Sequence, residues 1–451
     1  MYNVHIETYG CSANQNNSEI MAGLLSRTGF NIVMNLENAD IIILNSCIVK
    51  GPTMQKIIYR IKELSDSKNA EKAKLSGRPE TSKVSKPKLI IAGCMTDVMA
   101  KRIGLLNPNA SILGSHNVHD IVTVAKKLIE GKRVVEIKKD HEVHLCKPKI
   151  YSKKIIGITQ ISEGCVGDCS FCIVRAAKGP LYSYPQDEIL KNVKQDLEAG
   201  CKEIWITSQD CSAYGLDDSK KSQLPPLLKE ILKIKGKFKL RLGMSNPNHI
   251  LPILKDLIEI YKDEKIFKFL HIPLQSGSDS VLESMSRHYK SNDFVKIIEE
   301  FRKAIPEITI STDIIVGYPT ETEKDFEETL EVMKKTLPDI INISRFWSMP
   351  GTKASNLQQL HPDELRRRAI VMTNLHNGIA IEKNKEYVGK DFPCIVDEKS
   401  FDDFWIARLD NYKQVMIKSK DKLLGQIVNV HIFDANNHYL FGNIVEGVNE
   451  K

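Results

Sequence analysis

The chain of 451 residues is 42% hydrophobic, 27% charged and 7% aromatic, with a net charge of +7; this suits about three globular domains and excludes a disordered, collagenous or small disulfide-stapled protein. No apolar run approaches the ~18 residues of a membrane span, and the opening MYNVHIETYG has neither the basic head nor the apolar stretch of a signal peptide. A cytoplasmic protein with no membrane partner is expected, so its ten cysteines read as metal ligands, catalytic thiols or core residues rather than disulfides.

The first stretch alternates strand and helix. Strands are expected at 4–8, 40–46, 88–93 and 111–115, with helices at 17–28, from Pro52 to about Leu64, near 97–105 and near 118–130. This alternation predicts an open parallel α/β sheet over 1–137. Between Lys50 and Lys88 lie eleven Lys/Arg against four Asp/Glu. That segment reads either as a solvated insertion or as a basic arm that meets phosphate. The polar, lysine-rich residues 138–153 read as a linker.

A second alternating series follows over 154–386. Strands are expected near 156–162, 203–208, 238–243, 267–272, 308–316 and 340–346, and helices near 186–199, 225–235, 248–261, 292–304 and 322–335. Six βα units suit a partial (β/α)6 barrel, with active groups at the C-terminal ends of the strands. A long helix over 362–387 comes next. Five short strands in 387–449 then predict a small antiparallel β-barrel.

The sharpest motif is EGCVGDCSFC at 163–172, where Cys165, Cys169 and Cys172 are spaced C-x3-C-x2-C. Three thiolates in one short loop suit a [4Fe-4S] cluster that keeps one iron open to an outside ligand. Zinc is the competing occupant, but it wants a fourth protein ligand and none lies nearby. Cys11, Cys47 and Cys94 each follow an expected strand, in ETYGC, ILNSC and IIAGC. Strand ends of a parallel sheet share one edge, so these three can converge.

The C-x3-C-x2-C motif at the mouth of a partial barrel resembles the radical S-adenosylmethionine superfamily. There the open iron is chelated by S-adenosylmethionine, whose reductive cleavage yields a 5′-deoxyadenosyl radical. The phrases ETYGCSANQNNSE, LNSCIVK and AGCMTD narrow the resemblance to the methylthiotransferases. In that family these three cysteines hold a second [4Fe-4S] cluster, which carries the sulfur to be inserted. KEIWITSQDCSAYGLD, LRLGMSNPNHI, HIPLQSGSDSVLESMSRHY and TDIIVGYPTETEKDF extend the likeness over nearly the whole chain, and ETYGC, EIWITSQDCSAYG and LRLGMSNP most resemble the archaeal and eukaryotic branch. Val166 stands where many relatives have Asn, and Lys178 where Arg is usual.

The resemblance implies a methylthiotransferase N-terminal domain at 1–137, a radical S-adenosylmethionine domain at 154–386 and an oligonucleotide-binding-like TRAM domain at 387–449. The implied reaction adds a methylthio group to C2 of N6-threonylcarbamoyladenosine at position 37 of tRNA. It implies two [4Fe-4S] clusters, S-adenosylmethionine, tRNA, and an unidentified electron donor and sulfur source. Isopentenyladenosine in tRNA and a ribosomal-protein aspartate are the alternative substrates. A non-catalytic iron–sulfur RNA-binding protein is the remote alternative.

Ser208, Gln209, Gln275 and Asp313 lie at C-terminal ends of expected barrel strands, where S-adenosylmethionine should sit, or they are ordinary barrel hydrogen-bonding groups. Phe171 packs near the adenine or shields the cluster. Arg345 pairs with a cofactor carboxylate, a substrate phosphate or a surface acid. Residues 385–451 hold nine basic and eleven acidic groups. RNA contact there must therefore use a local patch, either Lys413, Lys418, Lys420 and Lys422 or the aromatics Trp405 and Tyr412. Tyr9 and Asn14 flank Cys11 and shape its surroundings or serve as turn residues.

Overall fold

The computed structural model describes residues 1–49, 51–65 and 87–445. These divide into two compact units, Met1–Ser152 with Ser162–Gly167 and Cys172–Asn192, and Lys153–Ile161 with Asp168–Phe171 and Val193–Lys451. The division runs through the C-x3-C-x2-C segment rather than between whole domains.

The first unit is built on six strands, β1 (Asn3–Thr8), β2 (Asn31–Ile32), β3 (Ile41–Ser46), β4 (Lys88–Gly93), β5 (Ser111–Leu113) and β6 (Val135–Glu136), in the order β2-β1-β3-β4-β5-β6. Every neighbouring pair is parallel. β3 reads IIILNS and is buried throughout, as a central strand covered on both faces must be. The helix Gly51–Ser65 buries Met54, Ile57, Ile58 and Ile61, one face at helical spacing. Ile20, Leu25, Ile43, Ile90, Leu113 and Val124 form the core.

One helix departs from expectation. It spans Ser12–Arg27, so it begins five residues before Asn17. Its first turns are polar yet buried at Asn14, Asn16 and Asn17, and polar residues give no hydrophobic period to read. Residues 138–153 form no helix or strand, yet His144 and Leu145 are buried and Ile150 and Ser152 donate to Glu19. Most of the basic Lys50–Lys88 segment, 66–86, lies outside the described residues.

β7 (Ile156–Gln160) opens the second unit, while β8 (Ser162–Glu163) and β9 (Tyr182–Ser183) form a short antiparallel pair in the first. β10 (Glu203–Thr207), β11 (Lys239–Leu242), β12 (Phe269–His271), β13 (Thr309–Val316) and β14 (Ile340–Arg345) complete the series. They form two parallel sheets, β11-β10-β7 and β12-β13-β14, joined by a parallel bridge between Leu240 and Ile266. All six expected strands are present, and their C-terminal ends share one end of the barrel. The helix Pro362–Lys385 follows β14.

β15 (Asp391–Lys399), β16 (Phe404–Arg408), β17 (Gln414–Lys418), β18 (Ile427–Ala435) and β19 (Leu440–Ile444) close a barrel in the order β15-β16-β17-β19-β18. It is not wholly antiparallel, since β17 and β19 run parallel. Five strands in a ring cannot alternate direction at every step, so one parallel pair is unavoidable. Val396, Ala407, Val415, Ile417, Val430 and Ile432 fill it.

This barrel also corrects part of the expected RNA patch. Trp405 and Tyr412 are buried. Lys413 Nζ is committed to Asp339 at 3.0 Å and to Asn384 at 2.8 Å. Lys418, Lys420 and Lys422 remain exposed. Among the described residues no helix is long and apolar enough to cross a membrane.

Candidate functional site

The sheet of the first unit brings Cys11, Cys47 and Cys94 to one edge. β1, β3 and β4 are neighbours, with Thr8 opposite Asn45 and Ser46 opposite Gly93. Cys47 directly follows β3, Cys94 directly follows β4, and Cys11 lies just beyond β1. Adjacent strands are ~4.8 Å apart, so Cys47 lies one spacing from each of the other two, and Cys94 senses the charge of both Cys11 and Cys47. Cys94 is buried, which pushes its thiol up to about 12, and Lys178 opposes that rise while Cys11 and Cys47 add to it. A group that pairs with thiolate relieves that penalty, as iron does.

Asn14 fastens this edge. Its amide donates to Asn45 Oδ1 at 3.2 Å and to the Ser46 carbonyl at 3.0 Å, and Cys11 Sγ donates to its Oδ1 at 3.5 Å. Asn45 Nδ2 donates back to the Asn14 carbonyl at 2.7 Å. Gly93 has φ +92°, and a Cβ there would lie 2.4 Å from both Asn45 Oδ1 and the Ser46 carbonyl. Only glycine fits that position. Tyr9 donates to Glu7 at 2.8 Å, and Glu7 pairs with Arg60, so Tyr9 braces the strand end instead of facing the thiols.

The second trio lies on the loop after β8. Gly164 has φ +72°, and a Cβ there would stand 1.8 Å from the Pro180 carbonyl. The loop sulfurs accept directed hydrogen bonds. Gly167 N–H donates to Cys165 Sγ at 3.2 Å and Val174 N–H to Cys172 Sγ at 3.4 Å. Arg287 Nη1 donates to Cys169 Sγ at 3.1 Å. N–H groups aimed at sulfur are the outer contacts that iron–sulfur sites place on their cysteine ligands. The donor set therefore fits an iron–sulfur cluster.

Behind the loop, Glu163 is fully buried. Burial opposes its ionisation, but Lys178 and His116 hold its carboxyl well below the usual range. Lys178 Nζ lies 2.8 Å from Oε1 and His116 Nδ1 2.9 Å from Oε2. His116, His141 and Glu163 offer ligand atoms within 4.8 Å of one another. The ammonium of Lys178 already compensates this carboxylate, and a dication placed beside it would be repelled at low dielectric. We read the group as an ion-pair network that anchors the strand leading to Gly164 and Cys165.

In the second unit the expected cofactor residues fall on or after barrel strands, with Asp313 inside β13 and Gln275 four residues beyond β12. Ser208 and Gln209 follow β10, and the buried Gln209 Oε1 has no hydrogen-bond partner among the described residues. Gln275 holds φ +71°, while its N–H donates to the Asp313 carbonyl at 2.8 Å and its carbonyl accepts from Ile315 at 2.9 Å. A non-glycine residue pinned in the left-handed region costs ~1–3 kcal/mol, and such strain gathers at functional sites. His271 Nε2 lies 2.8 Å from Asp313 Oδ2. Phe171 packs against Val281, Met285, Tyr318, Phe346 and Ala354. Arg345 ends β14 and is exposed.

Sequence reading missed four polar residues at this end. Arg287 also donates to Asn246 Oδ1 at 3.1 Å, Asn246 N–H donates to Asp210 Oδ1 at 3.1 Å, and Asp210 Oδ2 lies 2.7 Å from His249 Nδ1. All four lie in or beside the family phrases, but only tertiary structure joins them to Cys169.

Residues 159–333 match the Radical SAM superfamily, residues 3–114 match the Uncharacterized protein family UPF0004 and residues 385–445 match the TRAM domain. The probable threonylcarbamoyladenosine tRNA methylthiotransferase of Methanothermobacter thermautotrophicus is 37% identical over 98% of this chain and 99% of its own length. The threonylcarbamoyladenosine tRNA methylthiotransferase of Homo sapiens is 33% identical over 98% of this chain and 74% of its own. Among solved structures, the radical S-adenosylmethionine methyltransferase TsrM from Kitasatospora setae, with tryptophan and a S-adenosylmethionine analogue bound, superposes with a TM-score of 0.56 at 10% identity, over 89% of this chain and 79% of that one. At that identity the likeness is one of fold.

Proposed function

The chain belongs to the threonylcarbamoyladenosine tRNA methylthiotransferases, and from that premise we propose that it adds a methylthio group to C2 of N6-threonylcarbamoyladenosine at position 37 of tRNA. The observation that carries this reading is the full-length match together with the two cysteine trios, each set at a strand end. The radical S-adenosylmethionine superfamily implies a [4Fe-4S] cluster and S-adenosylmethionine. In our reading Cys165, Cys169 and Cys172 hold that cluster, and Cys11, Cys47 and Cys94 hold a second. When bound, these groups supply the one-electron chemistry, the sulfur and the methyl group that acid–base side chains cannot deliver to an unactivated aromatic carbon.

The chain's own residues position and enclose. Gln209 offers a buried amide oxygen that lacks a partner, which suits the ammonium of S-adenosylmethionine. Ser208 follows β10 beside it, Gln275 follows β12 and Asp313 lies in β13, where His271 orients its carboxylate. Phe171, seated on an apolar cluster, excludes water beside Cys169 and Cys172. Arg287 and the loop N–H groups direct hydrogen bonds onto the three sulfurs and fix their positions. The three-part division at 137, 154 and 387 belongs to this reading, with the TRAM barrel presenting Lys418, Lys420 and Lys422 to tRNA. A cytoplasmic setting and a separate electron donor and sulfur source complete it.

The test is anaerobic reconstitution with iron, sulfide, S-adenosylmethionine and reductant, followed by mass analysis of nucleosides from incubated tRNA. Methylthiolated threonylcarbamoyladenosine is expected. Methylthiolated isopentenyladenosine, or a mass shift on a ribosomal protein with tRNA untouched, would replace the assignment.

A further inference from the structure

The helix Pro362–Lys385 carries three consecutive arginines that meet different fates. Arg368 is buried and held by Glu321 and Glu364, both at 2.6 Å. Arg367 pairs with Glu364 at 2.7 Å and with Glu323. Arg366 is exposed and, among the described residues, its guanidinium has neither a hydrogen bond nor an ion pair. The same is true of Arg345 at the end of β14. These two line one groove of about 270 Å³ with Ala369, Ile370, Thr373 and Asn374.

Positions 366, 369, 370, 373 and 374 are one helical face. Its guanidinium has no internal counter-charge, while its sequence neighbours are fully paired. Ile370 is 53% exposed on that face. Trp347, two residues beyond Arg345, is 44% exposed. Two forked cations, a free amide and exposed apolar and aromatic surface match the backbone of a nucleic acid. Guanidinium binds phosphate bidentately, ribose covers apolar side chains and bases stack on indole. A small free anion would need neither Ile370 nor Trp347.

Location supports the same partner. β14 runs parallel to β13, with Val316 opposite Arg345, so Arg345 lies at the barrel end that also carries Gln275 and Asp313. In the TRAM barrel Lys413 is paired with Asp339 and Trp405 and Tyr412 are buried, which leaves room for an RNA contact elsewhere on the chain. We propose that the Arg345–Arg366 groove is an RNA-backbone docking site that takes phosphates of the tRNA substrate. This rests on tRNA being the substrate and names a surface through which it is held.

The experiment measures binding of unmodified tRNA transcript to the reconstituted full chain across a series of KCl concentrations. It compares wild type with R345Q, R366Q, the double variant and R367Q. R367Q removes the same charge from the same helix at a site already ion-paired. The double variant should bind about ten-fold more weakly, and its log–log salt slope should fall by about two. R367Q should leave slope and affinity within about two-fold of wild type. Wild-type binding with an unaltered slope in the double variant would overturn the docking site alone. An equal loss in R367Q would reduce it to bulk charge and also overturn it. Loss of S-adenosylmethionine affinity in R345Q with tRNA binding intact would return Arg345 to the cofactor. Failure of wild type to bind tRNA would overturn the functional reading as well.

Discussion

The two cysteine trios are built in opposite ways. Cys165, Cys169 and Cys172 sit within eight residues of one another on one loop, so any joint role they have is written in local spacing. Cys11, Cys47 and Cys94 are scattered over the first hundred residues and meet because β1, β3 and β4 are neighbours with matched ends. The loop trio takes its sulfur donors from backbone N–H groups and one distant arginine. The sheet-edge trio is held by strand register and an asparagine clasp. A local motif thus depends on loop conformation, whereas a topological one depends on an entire sheet, and each has its own point of failure.

Removing ligands gives the largest effect. Replacing Cys11, Cys47 and Cys94 together by Ala should cut iron in the reconstituted protein by about half and abolish the methylthio product. Cys165→Ala should likewise cost about half the iron, lost from the other site, and abolish the product. Iron content and Mössbauer spectra read both. Loss of all iron from the triple variant would mean that the two sites form one unit, and the contrast between them would fall.

The glycines sharpen the contrast one step lower. Gly93→Ala adds a Cβ 2.4 Å from Asn45 and Ser46 at φ +92°. Gly164→Ala adds one 1.8 Å from the Pro180 carbonyl at φ +72°. Each should cost about 2–4 kcal/mol locally, from strain and from the backbone that must move. Gly93→Ala should weaken iron retention at the sheet-edge trio and Gly164→Ala at the loop trio. Site-resolved spectra after a fixed time in chelator check this. Retention of both sites in either variant would show that the loop or the edge yields without cost.

The different construction also decides what the sequence could reveal. The loop motif is legible because ligand spacing is local. The sheet-edge trio is legible only through the strand ends ETYGC, ILNSC and IIAGC, where the alternation of strand and helix is regular. The start of the helix Ser12–Arg27 was hidden, because its buried Asn14, Asn16 and Asn17 are polar and give no hydrophobic period. Trp405, Tyr412 and Lys413 resemble RNA-binding residues by type, but Trp405 fills the barrel core, Tyr412 packs on Phe267 and Phe269, and Lys413 pairs with Asp339. Arg287 and Asn246 were beyond reach, since no periodicity links them to Cys169.

Arg287 gives the smallest and most selective effect, because it touches one trio only. Its Nη1 lies 3.1 Å from Cys169 Sγ, while Nη2 donates to Asn246 and Nε to Tyr289 OH, each at 3.1 Å. A cationic donor on a cluster sulfur stabilises the reduced, more negative state and raises the reduction potential. Arg287→Met should therefore lower the potential of the loop-trio cluster and leave that of the sheet-edge cluster in place. A bond worth ~1 kcal/mol net corresponds to ~40 mV for one electron. Arg287→Lys keeps the charge but loses the fork, so it should fall between Met and wild type. Redox titration followed by electron paramagnetic resonance, without tRNA, reads this independently of turnover. An unshifted potential with lowered thermal stability would assign Arg287 to holding Asn246 and Tyr289 alone, and the loop trio would then rely on its backbone donors, much as the sheet-edge trio relies on its strands.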